Sequence, residues 1–96
     1  MEQKEIKIKI NDNEMKGVYA NFMRITHTRE EFVLDFANIV FPEGGIITAR
    51  IITSPAHLKR MYLAIKENLE KYEEQFGEIK EVEKENNKDF GFLVEE

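Results

Sequence analysis

The chain has 96 residues and a mass of 11.3 kDa, which suits one domain, because two separate cores of half this length would bury too little apolar surface. It contains no Cys, which excludes disulfides, thiolate zinc sites and cysteine nucleophiles and fits a reducing compartment. The net charge of −5 is concentrated in residues 78–96, whereas residues 1–77 hold 11 basic and 12 acidic groups, so the dense basic surface that nucleic acids require is not expected.

Four segments in the first half of the chain have the composition of β-strands. In residues 6–10, Ile alternates with Lys, a period of two that predicts a half-buried strand. Residues 11–14 are rich in Asn and Asp and predict a turn. The other strands are predicted at residues 18–27, 32–41 and 46–53, with a turn at 42–45.

A change of hydrophobic period after the fourth strand predicts a long helix over residues 55–76. Ser54 is a favourable N-cap, Pro55 is tolerated at the first helical position, and Gly77 is a natural C-cap. One apolar stripe recurs at spacings of three and four residues: Leu58, Tyr62, Ile65, Leu69, Tyr72 and Phe76. We therefore predict an α+β fold, in which a four-stranded antiparallel meander is followed by one long amphipathic helix packed across one sheet face.

Loop lengths predict which side chains share a sheet face. Four-residue loops place Phe36 opposite Ile51 and Ile25 opposite Phe32. The face expected under the helix carries Tyr19, Met23, Ile25, Phe32, Leu34, Phe36, Ile47, Ala49 and Ile51. The opposite face carries Val18, Ala20, Phe22, Val33, Ala37, Ile39, Phe41, Ile46 and Ile52.

This opposite face, the outer face, is too apolar to be left in solvent, because the chain has no second helix to cover it. A second subunit or a bound protein or peptide would provide the cover. Arg24, Asp35 and Arg50 interrupt the face on three neighbouring strands. They can form a charge cluster that satisfies itself, or a clamp in which arginines bind an anion or a carboxylate.

Catalytic and metal-binding patterns are absent from the sequence. His27 falls at a predicted hairpin and His57 in the first helical turn, and their spacing to other ligands matches no metal motif. We predict no catalytic residue, no cofactor and no metal. An enzyme would require a cleft between two chains that brings together Arg24, Arg50 and His57.

The C-terminal segment combines a charged tether with a short apolar end. Residues 78–87 are predicted to be solvated, and residues 90–94 place Phe90 and Phe92 on one side of a potential strand. This end can fold back onto the same assembly, bind a partner by strand addition, or fray. We therefore divide the chain into an α+β domain at 1–77 and a tail at 78–96.

Several short motifs together resemble a small prokaryotic family of unknown function. They are Tyr19-Ala20-Asn21, His27-Thr28, the run from Phe32 to Phe36, Ala49-Arg50-Ile51, and the run from Ser54 to Arg60. The resemblance covers about residues 17–77 and implies no activity, cofactor or catalytic residue. The order of strands and helix is also distantly similar to that of SecB-type export chaperones, which would imply assembly through sheets and helices and binding of unfolded chains.

These features favour a non-enzymatic, oligomeric protein-interaction module, an adaptor or a chaperone-like subunit. We expect a cytoplasmic homodimer or dimer of dimers that also binds a protein or peptide, and no membrane association, because no apolar run exceeds five residues. The alternative is a nucleic-acid-associated regulatory protein. The candidate interaction residues are Phe22, Arg24, Asp35, Ile39, Arg50, Ile52, Leu69, Tyr72, Phe76, Phe90 and Phe92.

Overall fold

A computed structural model describes residues 5–81, which form three strands and two helices. The elements in chain order are α1 (Asp12–Lys16), β1 (Phe22–His27), β2 (Phe32–Val40), β3 (Gly44–Thr53) and α2 (Pro55–Phe76). The described residues divide into two compact units, and the boundary between them falls within α2, between Arg60 and Met61. The α+β class and the order of strands before a long helix are confirmed.

The predicted first strand is wrong. Residues 6–10 adopt no regular structure, and their isoleucines are exposed. The predicted turn at residues 11–14 is instead the start of the short helix α1, in which Met15 N–H donates to the Asn11 carbonyl at 2.9 Å. Alternation of Ile and Lys specifies which side chains would share a face, but a strand also needs a neighbour for its backbone groups, and the described sheet has three strands.

The sheet is an antiparallel meander in the order β1-β2-β3. The second predicted strand begins at Phe22 instead of residue 18. The turn between β1 and β2 is closed by Thr28, whose N–H donates to the Glu31 carbonyl and whose Oγ1 accepts from the N–H groups of Glu30 and Glu31. Because this turn spans 28–31, Ile25 pairs with Leu34, two residues from the predicted partner Phe32.

The second hairpin is also shifted, because its loop has three residues, 41–43, instead of four, and because β3 contains one extra residue, Thr48. Phe36 pairs with Ala49 instead of the predicted partner Ile51, and Ile51 pairs with Leu34. From Ala49 to Thr53 the register differs from the predicted one by two residues, so these side chains stay on their predicted faces, because side chains alternate with a period of two. The outer face near Asp35 therefore keeps its predicted composition.

A β-bulge at Thr48 changes the faces at the start of β3. Phe36 pairs with Ala49 but Ala37 pairs with Ile47, so Thr48 has no Cα partner, and its Oγ1 donates to the Phe36 carbonyl at 3.3 Å. The extra residue reverses the alternation toward Gly44. Ile47 therefore joins the outer face and Ile46 leaves it, which corrects the predicted assignment of both.

Helix α2 has the predicted bounds. The Ser54 Oγ accepts from the His57 N–H at 3.1 Å, which is the expected N-cap hydrogen bond. Gly77 ends the helix with a φ of 99°, and its N–H donates to the Glu73 carbonyl. The packing of this helix across a sheet face stays a prediction.

Very little apolar surface is buried within the described residues. Leu34 and Ala37, both on the central strand, are the buried hydrophobic side chains of residues 5–81, and Asp35 lies between them. Twenty-one large hydrophobic side chains in the same range are exposed, on both sheet faces and along α2. Both edge strands therefore keep much of their apolar surface in solvent.

Candidate interaction surface

The strand pairing brings most of the predicted outer-face residues together, but Val18, Ala20 and Phe41 lie outside the strands and Ile46 is on the other face. Arg24, Asp35 and Arg50 pair directly across the three strands, in a row at the centre of the sheet. Phe22 pairs with Ala37, and Ala37 with Ile47. The outer face of the described sheet consists of Phe22, Arg24, Thr26, Val33, Asp35, Ala37, Ile39, Gly45, Ile47, Arg50 and Ile52.

Asp35 is held by both arginines of this row. The Arg24 guanidinium donates to Asp35 Oδ2 at 2.8 Å, and Arg50 donates through Nε to Oδ1 at 2.6 Å and through Nη2 to Oδ2 at 3.0 Å. The Asp35 side chain is only 2% exposed, whereas that of Arg50 is 56% exposed. The charge cluster thus satisfies its own carboxylate and leaves the outer portion of Arg50 accessible.

The ionisation of Asp35 follows from these contacts. Hydrogen bonds from Arg50 and then from Arg24 hold the pKa of the Asp35 carboxyl well below its usual range, and they outweigh the opposing effect of removing the carboxylate from water. The same hydrogen bonds raise the pKa of Arg50. The row is therefore ionised at neutral pH and carries one excess positive charge.

Apolar side chains flank the charged row on the outer face. Ile52 and Ile47 are exposed on β3, whereas Ile39 and Phe22 are half-buried. Ile47 was missed by the sequence analysis, because the bulge that turns it to this face leaves no sign in the hydrophobic pattern. The surface combines an arginine with aliphatic and aromatic groups, a composition typical of protein-binding sites.

Asn21 is a second residue whose role the sequence did not reveal. Its Nδ2 donates to the Ile39 carbonyl at 2.9 Å, and its Oδ1 accepts from the Ile39 N–H at 2.8 Å. The side-chain amide thus replaces a backbone partner for the end of β2 and holds Ile39 in line with the sheet. Asn21 belongs to one of the quoted motifs, but nothing in its neighbours indicates this contact.

The remaining candidate residues lie elsewhere. Leu69, Tyr72 and Phe76 follow one another along α2, and all three are exposed. The rings of Tyr72 and Phe76 are in contact, with centroids 4.9 Å apart. Phe90 and Phe92 lie outside the described residues.

The described residues provide no grouping for metal chemistry. Among residues 5–81, no three His, Asp or Glu side chains come close enough to hold a metal ion. His27 stacks against Phe32, with ring centroids 5.1 Å apart. Within the same residues, neither helix is both long and apolar enough to cross a bilayer.

The sequence profile of DUF3467, described as a protein of unknown function, matches residues 1–81. The chain belongs to this family. The match confirms the resemblance to an uncharacterised domain and extends beyond residues 17–77, so residues 1–16 lie within the DUF3467 region.

No curated protein and no solved structure matches the chain. The distant similarity to SecB-type chaperones is therefore without support.

Proposed function

We propose that this DUF3467 protein is a non-enzymatic protein-interaction module that works as a homo-oligomer and binds apolar segments of other proteins through its outer face. The observation that carries the proposal is the imbalance between core and surface. Among the described residues two hydrophobic side chains are buried and twenty-one large ones are exposed. Exposed apolar surface on this scale is typical of proteins that bind other proteins.

The charged row supports the same function by giving the outer face a rigid centre. Two hydrogen bonds from Arg50 to Asp35 hold the guanidinium plane in one orientation. When a partner accepts hydrogen bonds from Arg50, the Arg50 side chain therefore loses less conformational entropy than a mobile arginine would. The isoleucines beside Arg50 provide apolar contact area, and the oriented guanidinium of Arg50 provides directional hydrogen bonds.

The charge distribution argues against nucleic acid as the main partner. The row carries one excess positive charge, whereas affinity for a nucleic acid depends on several contacts between positive side chains and phosphates. A salt titration tests this point, because binding to a nucleic acid weakens steeply with salt and apolar binding does not.

The first prediction tests the outer face with a permanently unfolded, reduced and alkylated model protein as the probe. We expect the full chain to bind this probe, and Ile52→Asp to weaken binding by about tenfold, because burying an isoleucine contributes about 1.5–3 kcal/mol. The matched control is Met15→Asp. Met15 is 63% exposed and Ile52 55%, so the same charge enters a similarly exposed apolar site outside the sheet.

Binding is measured by fluorescence anisotropy of the labelled probe, and circular dichroism checks that both variants remain folded. Equal affinity of Ile52→Asp and the original chain would contradict the proposed surface. A probe that does not bind the original chain would contradict the function.

A further inference from the structure

The exposed apolar stripe of α2 follows a regular heptad pattern. Tyr62, Leu69 and Phe76 are seven residues apart, and Ile65 and Tyr72 lie between them at alternating spacings of three and four. All five side chains are exposed. This spacing suits either the sheet face predicted from the sequence or a second helix of matching length, and the stripe cannot contact both at once.

Charges beside the stripe indicate what that second helix is. Lys66 and Glu73 lie on the same flank of the stripe, directly after Ile65 and Tyr72 respectively. On the other flank, Asn68 and Gln75 are uncharged. One flank thus carries a positive charge followed by a negative charge one heptad later, which is complementary to itself when the helix direction is reversed.

We propose that α2 pairs with α2 of a second copy in antiparallel orientation, with Lys66 of each chain beside Glu73 of the other. In this register Leu69 lies opposite Tyr72, and Ile65 opposite Phe76. The two-fold axis passes between Leu69 and Tyr72 and makes both ion pairs equivalent. The inference deepens the oligomeric aspect of the proposed function and rests on it, but it does not depend on the outer face.

Other alignments of the same stripe lack these ion pairs. Shifting the antiparallel register by one heptad places Lys66 against Lys66, or Glu73 against Glu73, of the second copy. In a parallel pair, the flanking contacts would join Met61 to Lys66 and Asn68 to Glu73, neither of which is an ion pair. The charge pattern therefore selects one orientation and one register.

Local contacts leave both charged groups able to form the pair. The Lys66 Nζ lies 3.8 Å from Glu70 Oε1, a long and exposed contact of little energetic value. The Glu73 Oε2 accepts from the Ile79 N–H at 2.9 Å, which orients the carboxylate and leaves its second oxygen for a lysine.

Leu69, Tyr72 and Phe76 line one concave surface of the helix together with Ile79.

The test reverses the charges one at a time and then combines the variants. Lys66→Glu and Glu73→Lys each replace two attractive pairs by two repulsive ones, so each should raise the dimer dissociation constant by about tenfold. Mixing the two single variants creates a heterodimer in which both cross-chain pairs are attractive again. We expect the mixture, and the double variant, to associate within about twofold of the original chain.

Matched controls carry the same charge changes on the opposite side of α2. Arg60→Glu and Glu74→Lys change exposed positions that lie two heptads apart on that side. Both should leave the dissociation constant within about twofold, because neither residue flanks the stripe. Sedimentation equilibrium of the full chain measures all constants.

Each outcome decides the proposal. Recovery in the mixture supports it and excludes loss of helix in the single variants as the cause. Single reversals without effect, a mixture that does not recover, or an original chain with a mass of 11.3 kDa at the highest concentration measured would overturn it. Since binding of the unfolded probe is measured separately with Ile52→Asp, failure of the helix pair is distinguishable from failure of the proposed function.

Discussion

Asp35 is a buried carboxylate in the middle of an otherwise apolar sheet, and its environment explains how it is tolerated. An isolated buried charge would be strongly unfavourable, but the Asp35 carboxylate accepts three hydrogen bonds from two arginines. The arginines come from the strands on either side, so the cluster links all three strands. It also specifies the register, because a shift of either neighbour would separate the charges.

The second prediction concerns Asp35→Asn. We expect this variant to be less stable than the original chain at pH 7, because it leaves two guanidinium groups beside a neutral amide. The folded-state pKa of Asp35 is lowered, so its contribution to the free energy of unfolding is complete above the unfolded-state value of about 4 and is lost as the pH falls toward the folded-state value. The difference between variant and original should therefore be smaller at pH 3 than at pH 7.

Urea denaturation at both pH values and one protein concentration measures this difference. Glu43→Gln, which removes a carboxylate from the exposed turn between β2 and β3, serves as the control. A difference of equal size at pH 3 and pH 7 would show that Asp35 acts through packing and not through its charge.

At the scale of elements, α2 is the segment of the fold in which local sequence is decisive. Ser54, Pro55 and Gly77 mark its two ends, and each acts on the backbone within one turn. The strands differ, because their ends depend on partners distant in sequence. Asn21, for example, uses its side chain to extend the pairing of β2 just before β1 begins.

The third prediction concerns the ends of α2. Ser54→Ala should reduce the free energy of unfolding by about 1 kcal/mol, because the His57 N–H loses its acceptor. Ser54→Thr retains a hydroxyl and should have a much smaller effect. Thermal denaturation followed by circular dichroism at 222 nm measures both. Equal loss in the two variants would show that the hydroxyl is not the stabilising group.

At the scale of the whole molecule, the small core leads us to expect that the proposed assembly contributes to stability. Leu34 and Ala37 are the buried hydrophobic side chains among residues 5–81. The exposed stripe of α2 and the outer face are the surfaces whose burial would stabilise the fold.

The fourth prediction follows from this coupling. The melting temperature should rise with protein concentration, because an association that occurs only in the folded state stabilises it by mass action. Differential scanning calorimetry across a hundredfold range of concentration measures the effect. Leu69→Asp, which places a charge within the stripe, should abolish the dependence, whereas Arg60→Glu should retain it. A constant melting temperature for the original chain would contradict the coupling.

Much of the fold and of the outer face could be predicted from the sequence. The helix bounds were correct because caps and the three-to-four spacing act locally. The grouping of Arg24, Asp35 and Arg50 on one face was correct because the alternation of side chains is unaffected by a two-residue error in register. The order of strands in a meander follows from short loops.

Tertiary structure alone decided the features that depend on a partner strand. The pairing of Ile25 with Leu34 depends on how Thr28 closes the first turn, and the exchange of Ile46 and Ile47 depends on a bulge at Thr48. Residues 6–10 alternate as a strand would, but they form no strand within the described residues. Alternation determines which side chains share a face, and it cannot provide the neighbouring strand that backbone hydrogen bonds require. The sequence by itself determined the faces and the helix, since these follow from local periodicity, whereas register and strand membership arise from hydrogen bonds between distant residues.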